Sequence, residues 1–321
     1  MSTKIRFLAP IWDWGVSEFE LVSLPSALQP DNIPWLIRNG FKVEFTVYTL
    51  DRDAARVQEL LERALAAAEI PKGALNCSIA TTPSAGNPDK FEILRIAFVN
   101  ECWKAISEGA ALMFIGADAF YGNGSIRNMA TYCRKPGIVT GGISLRVRRD
   151  PFLQLLGRFR EAFGNRPVSN ARLVDMSLQT QLDILQECDV DSDTNASFQI
   201  GTSLRRVAPD LLTAIIHNHS PFMFWPQESD VYFLETKCYG GKNMETLDHL
   251  WPSQLVTQRR WRLFASTDLF FAAELTSDEV VHNAPSEPNM LYNELFKFAD
   301  LPHTHMHEQI VLTLRSEPFL S

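Results

Sequence analysis

The sequence predicts an α/β protein, with a mostly parallel sheet flanked by helices in its first half and a mixed α+β C-terminal half. Two observations carry this. Strand-like and helix-like segments alternate through the first 118 residues, the pattern of a sheet whose parallel strands are joined by helical crossovers. Several strand segments are continuous apolar runs, as expected of strands covered on both faces.

Taken in order, residues 4–11 (KIRFLAPI) read as a buried strand and 16–28 as a helix interrupted near Pro25. Residues 43–50 (VEFTVYTL) are β-branched and aromatic, which suits a second strand. Asp51 and Asp53 then offer caps for a helix over 54–69, stopped by the Pro71–Gly73 breaker. A short strand at 75–80, a polar loop and a long amphipathic helix near 89–108 follow, and ALMFIGAD ends the series as an apolar strand stopping at Asp118. Residues 136–147 suggest a strand bent at a glycine pair, with helices near 150–163 and 171–188. Beyond an acidic polar loop, FMFW, VYFLETK and LFASTDLFFAAEL look strand-like, and helical character returns near 287–299. No repeat or linker divides the chain. It reads as one compact unit with a ligand-binding half over 1–145 and a second half over 146–321.

Composition narrows the function classes. At 45% hydrophobic and 21% charged residues the chain is globular in character. A formal net charge of -8 disfavours nucleic acid and anionic membranes as partners, although Arg146, Arg148 and Arg149, followed by Arg158 and Arg160, form a local basic patch. Five scattered cysteines without CxxC spacing speak for a reducing compartment and against a disulfide framework or structural zinc. Neither a signal-peptide pattern nor an apolar run of membrane-spanning length is evident, so a cytoplasmic location and no transmembrane segment are expected.

Ligands of parallel sheets bind beyond the carboxyl ends of the strands. That places Pro10–Gly15, Thr49–Asp53 and Gly116–Ser125 in one expected crevice. In GADAFYGNGSIRN, Asp118 can accept hydrogen bonds from a sugar hydroxyl or bind a metal. Gly122 and Gly124 allow close backbone approach, and Asn123, Gly124 and Ser125 lead into a helix whose first amides favour phosphate, with Arg127 nearby. The same residues also describe a plain strand-to-helix turn. After the first strand, Pro10, Trp12, Trp14 and Glu18 can contact a ligand, the tryptophans by stacking on a base or sugar. One tryptophan could equally cover the core edge. Thr49 and Asp51 occupy the position where acidic groups often meet a ribose, although Asp51 or Asp53 as a helix cap serves equally well. Asp268 and Glu274, in STDLFFAAE, are candidate second acids, with a surface position the plainer reading of Asp268.

HTHMHE sets His303, His305 and His307 on one face of an extended segment beside Glu308, a grouping that suits zinc, iron or manganese. It lacks HExxH spacing, and a polar surface segment explains it as well. No P-loop, GxSxG elbow or GxGxxG is present. Flavin, NAD and pyridoxal phosphate are therefore not expected.

The strand running into a Trp-Gly loop, then SLPSALQPDNIPWL with its Leu24–Leu28 and Pro30–Pro34 segments, then VEFTVYTLDRD, resembles the opening of bacterial glycosyltransferase-like proteins of the GT-A type. STDLFFAAEL resembles a later acidic strand of that group. The likeness covers most of the first 145 residues and touches 220–275. It implies a Rossmann-like GT-A fold, a nucleotide-sugar donor, and a glycan or small-molecule acceptor. It implies Asp118 with Asp268 or Glu274 as catalytic residues, and Mn2+ or Mg2+ held by Asp118 with a distant group such as His303 or His305. The chain departs from the group's Asp-x-Asp motif, reading Ala117-Asp118-Ala119. That departure leaves open a metal-free enzyme, a non-catalytic binding or scaffold protein on the same fold, and a metal enzyme built on the C-terminal histidines.

Overall fold

The computed structural model describes residues 3–84, 90–180, 197–199, 202–208, 211–216, 222–236, 260–264, 266–276 and 309–313. The expected strand at the start is β1 (Lys4–Pro10). The helix after it does not break at Pro25. Instead α1 (Trp14–Glu18) continues through a π-helical turn (Phe19–Ser23) into α2 (Leu24–Ala27), where Pro25 sits in a first turn that needs no amide donor. After α3 (Ile33–Arg38) comes β2 (Lys42–Leu50), and α4 (Ala54–Ala67) precedes β3 (Asn76–Thr82). Then α5 (Lys90–Glu108) leads into β4 (Ala110–Phe114).

Beyond β4 the chain forms β5 (Ala119–Tyr121), α6 (Ser125–Tyr132), β6 (Ile138–Gly141) and β7 (Ser144–Arg148). The expected single bent strand is thus two strands, in two different sheets, turning at Gly141-Gly142. A Cβ on Gly142 would lie 1.9 Å from the Phe270 ring, so only glycine allows this corner. Helices α7 (Arg149–Phe163) and α8 (Asn170–Gln179) follow. Strands β8 (Ser197–Gln199), β9 (Thr202–Ala208) and β10 (Leu211–Ile216) join the late β14 (Gln309–Thr313) in an antiparallel sheet. Strand β11 (Phe222–Phe224) takes up part of FMFW, whereas residues 231–236 of VYFLETK are not a strand: they lie within α9 (Glu228–Thr236). Asp230 accepts from the Gln227 amide there, and α9 buries Val231 and Leu234 beside Ala97, Phe98 and Cys102 of α5. Strands β12 (Arg260–Leu263) and β13 (Ala272–Thr276) complete the described set. The helical expectations near 181–188 and 287–299 lie outside the described residues.

The main sheet runs β12-β6-β11-β4-β1-β2-β3. Its β4, β1, β2 and β3 pair parallel, and β11 enters antiparallel to both β4 and β6. It draws strands from both halves of the chain, giving an α/β fold with a largely parallel central sheet. One face of that sheet carries a polar cluster. Arg6, 3% exposed, binds Glu101, which is fully buried on α5, and Glu101 also accepts from Tyr48 and Lys104. This pins α5 onto β1 and β2 and leaves the buried charges paired.

The strand order fixes where a ligand can enter. From β1 the chain steps to β2 and β3 on one side, then returns past β1 to place β4 on the other. The crossovers therefore part between β1 and β4, opening a crevice at the carboxyl ends of those two strands.

Candidate functional site

The segments after β1 and β4 meet at this crevice. Gly15 in the first loop packs so close that a Cβ there would sit 3.6 Å from the Ala117 Cβ. A second, three-stranded sheet, β5-β13-β7, supplies the opposite wall. Strands β7 and β13 alternate over Ser144–Val147 and Ala273–Thr276. Leu145, Val147, Ala273 and Leu275 are buried in a core with α7 and α8, while Ser144, Arg146, Glu274 and Thr276 are half-buried on the other face. Glu274 pairs with Ala119 on one side and Arg146 on the other, and the Leu275 amide donates to the Asp118 carbonyl at 3.0 Å. Sheet register thus delivers Glu274 to Asp118 from a point far away in sequence.

Three carboxyl groups gather here. Glu274 accepts from the Ser144 hydroxyl at 2.7 Å and lies 3.8 Å from Arg146. Glu18, 4% exposed at the end of α1, accepts from Arg149 at 2.6 Å, but its second carboxylate oxygen is buried without a hydrogen-bond partner. Asp118 keeps a little accessible surface, yet burial, with the Glu274 and Glu18 carboxylates, pushes its pKa up to about 7 against the opposing pull of Arg146. Tyr121, buried beside them, is held above the ordinary phenol range by burial and by the Glu274 and Asp118 charges. A carboxyl raised towards neutrality, with Arg146 and two further carboxylates acting on it, has the proton affinity of a group that can move a proton at physiological pH.

The other expected site residues lie elsewhere along the same edge. Pro10 is buried at the end of β1 and Trp12 is half-buried, while Trp14 is 70% exposed. Asp51 is exposed and accepts from the Ser84 amide at 3.0 Å, and the Ser84 hydrogen bonds hold it below its ordinary pKa. Asp53 accepts from the Asp13 amide at 3.0 Å, and Arg52 pairs with Asp13. Neither Asp51 nor Asp53 lends its side chain to a helix cap, because both tie loops together instead. Thr49 is fully buried, and its hydroxyl has no partner. Asp51 and Asp118 therefore belong to two separate polar groups flanking the Trp12–Gly15 loop.

The Asn123–Ser125 turn faces inward. Asn123 exchanges two hydrogen bonds with Asp31, each 2.9 Å. The Gly124 and Ile126 amides both donate to Asn32 Oδ1, at 3.0 and 3.1 Å, filling the place a phosphate would take at the start of α6. Ser125 is fully buried, its single hydroxyl proton within reach of Asn170 Oδ1 at 2.9 Å and the Phe271 carbonyl at 3.1 Å, and its oxygen accepts from the Phe271 amide. Arg127 reaches Asp31 at 3.8 Å and lies over the Trp35 ring. Asp268 sits on an exposed turn, its carbonyl accepting from Asn170. His303 and His305 lie outside the described residues.

Ser144, Tyr121 and Asn32 had no signal as site residues, and Arg146 and Arg149 showed only as part of a basic patch. The alternation SLRVR was the one available hint that Arg146 shares a face with Ser144. Among the described residues no three His, Cys, Asp or Glu side chains are grouped to hold a metal ion, and no helix is long and apolar enough to cross a membrane.

The sequence matches no protein-family model and no curated protein. Among the solved structures that overlap with it, three are weakly similar. Mouse xyloside xylosyltransferase 1, in its apo form, is 11% identical with a TM-score of 0.29, over 50% of this chain and 58% of that one. The 4-diphosphocytidyl-2C-methyl-D-erythritol synthase of Anaerococcus prevotii is 8% identical at a TM-score of 0.39, over 87% and 93%. A protein described as a glucose-1-phosphate thymidylyltransferase of Bacillus anthracis, in complex with a sucrose, is 7% identical at 0.38, over 81% and 87%. The chain spans a little over half the length of the xylosyltransferase. Overlaps this weak carry no weight for activity.

Proposed function

We propose that this protein is a transferase acting on a nucleotide-sugar, with glycosyl transfer to an acceptor hydroxyl as its reaction. The observation that carries the reading is the gathering of Glu18, Asp118 and Glu274 around Arg146 and Arg149 at the crevice between β1 and β4. Crevices at such a point in a parallel sheet hold nucleotides and related ligands.

In this reading Asp118, about half ionised at neutral pH, takes the proton from the acceptor hydroxyl as that oxygen bonds the anomeric carbon. The bond from that carbon to the diphosphate breaks, and the diphosphate leaves with the electron pair. Arg146 and Arg149 face the charge that develops on it, a task for preorganised cations. Arg127 stands further along as an outer contact, and Trp12 or Trp14 as the face for base stacking. Glu274, fixed by Ser144 and Arg146, keeps Asp118 basic and orients the sugar.

A thermal-shift screen with UDP-, GDP- and CMP-sugars, each with and without manganese, tests this. The reading expects at least one nucleotide-sugar to raise the melting temperature without manganese. Stabilisation by metal alone would support the histidine site, and no response to any donor would support a scaffold that has lost catalysis.

A further inference from the structure

A second concavity lies away from the carboxylates. Between α2–α3, the end of α4 and the end of α7 is a cleft of about 560 Å³, within the roughly 300–1,000 Å³ usual for small-ligand sites. Its floor includes Leu28, Phe120, Leu156 and Phe159, each 2–7% exposed. Gln29 keeps that floor in shape, donating to the Tyr121 carbonyl at 2.8 Å and accepting from the Val168 amide at 2.6 Å. The cleft lining includes none of Glu18, Asp118, Glu274, Arg146 and Arg149.

The rim carries Arg38, Arg160 and Arg166 against one carboxylate, Glu69. Arg38 donates to the Pro30 carbonyl, and Arg166 lies over the Phe163 ring. Among the described residues no carboxylate pairs with any of these guanidiniums. Arg160 is surface-accessible, yet desolvation alone lowers its pKa. A chain with a net charge of -8 thus concentrates uncompensated positive charge at the mouth of an apolar hollow. Water satisfies either feature separately, but an apolar floor beneath a guanidinium rim is complementary to one kind of molecule.

We propose that this cleft binds a small anionic amphiphile, its phosphate or carboxylate head held by Arg38, Arg160 and Arg166 and its hydrocarbon body on the Leu28–Phe120–Leu156–Phe159 floor. Isothermal titration of the full chain with octyl phosphate, octanoate, octanol and inorganic phosphate tests it. At least one of the two amphiphiles should bind at a single site, at least about tenfold tighter than octanol or inorganic phosphate alone. The tighter of the two identifies the head group. The double variant Arg160→Glu/Arg166→Glu should weaken binding by at least about tenfold. Ala67→Trp, which adds bulk from the exposed face of α4 into the cleft, should abolish it while circular dichroism stays unchanged. Absence of binding by both amphiphiles, or binding indifferent to these variants, would overturn the proposal.

Discussion

Arg149 Nε donates to Glu18 Oε1 at 2.6 Å, joining the first residue of α7 to the last residue of α1 across 131 positions of sequence. Glu18 is almost wholly enclosed, and Arg149 is its charged partner. The pair closes one end of the crevice that also holds Asp118.

Removing Arg149 leaves a buried carboxylate without its cation, which is costlier than removing both charges. Arg149→Ala is expected to destabilise the protein by on the order of 2 kcal/mol, and Arg149→Ala/Glu18→Gln by clearly less. Urea unfolding of the wild type and both variants gives the comparison.

Asp118 has a folded-state pKa raised to about 7. A carboxyl raised on folding binds more protons when folded than when unfolded between its two pKa values. Its effect is therefore favourable at acid pH and is lost as pH rises through about 7. Asp118→Asn is accordingly expected to stabilise the protein at about pH 8 by on the order of 2–4 kcal/mol, and to change little at about pH 4. Melting temperatures of both proteins across that range check the sign.

Asn32 makes four hydrogen bonds with one side chain: its oxygen receives two amides opening α6, and its amide donates to the Ser26 and Gly122 carbonyls. Asn32→Ala is expected to cost on the order of 2–3 kcal/mol. Asn32→Asp keeps the two accepted bonds and should cost less at low pH than at neutral pH. Chemical denaturation of the two variants measures both.

Glycine positions separate packing from propensity. A Cβ on Gly122 would fall 1.8 Å from Asn170 Oδ1, so Gly122→Ala should destabilise strongly and disturb the turn behind Asp118. Within α7, Gly157 has nothing within 4 Å of such a Cβ, and Gly157→Ala should stabilise by roughly 0.5–1 kcal/mol. Paired thermal melts distinguish the two.

Much of the fold was legible because it is local. The apolar runs at 4–11 and 43–50 and the long helices near 54–69 and 89–108 each carry their own periodicity, whereas the run ALMFIGAD was read too far, since β4 stops at Phe114 and Asp118 lies in the turn before β5. The site itself was legible only in part. Glu18 and Glu274 were candidates, but their meeting with Asp118 depends on β13 pairing with β5 and β7, and on α7 folding back over α1. Such contacts have no local signature. The phosphate reading of Gly124-Ser125 went astray for the same reason, since a helix start looks open in sequence and only the fold brings Asn32 to it. VYFLETK read as a strand because short apolar runs do not separate strand from buried helix, and packing on α5 decided for helix.

Nucleotide release from a panel of UDP-, GDP- and CMP-sugars, followed in parallel for the wild type and Asp118→Asn, bears most directly on the proposed chemistry. The expected result is turnover of at least one donor by the wild type, reduced by roughly a hundredfold or more in the variant. Equal rates from a folded Asp118→Asn protein would contradict the role given to Asp118 and, with it, the catalytic reading of the crevice.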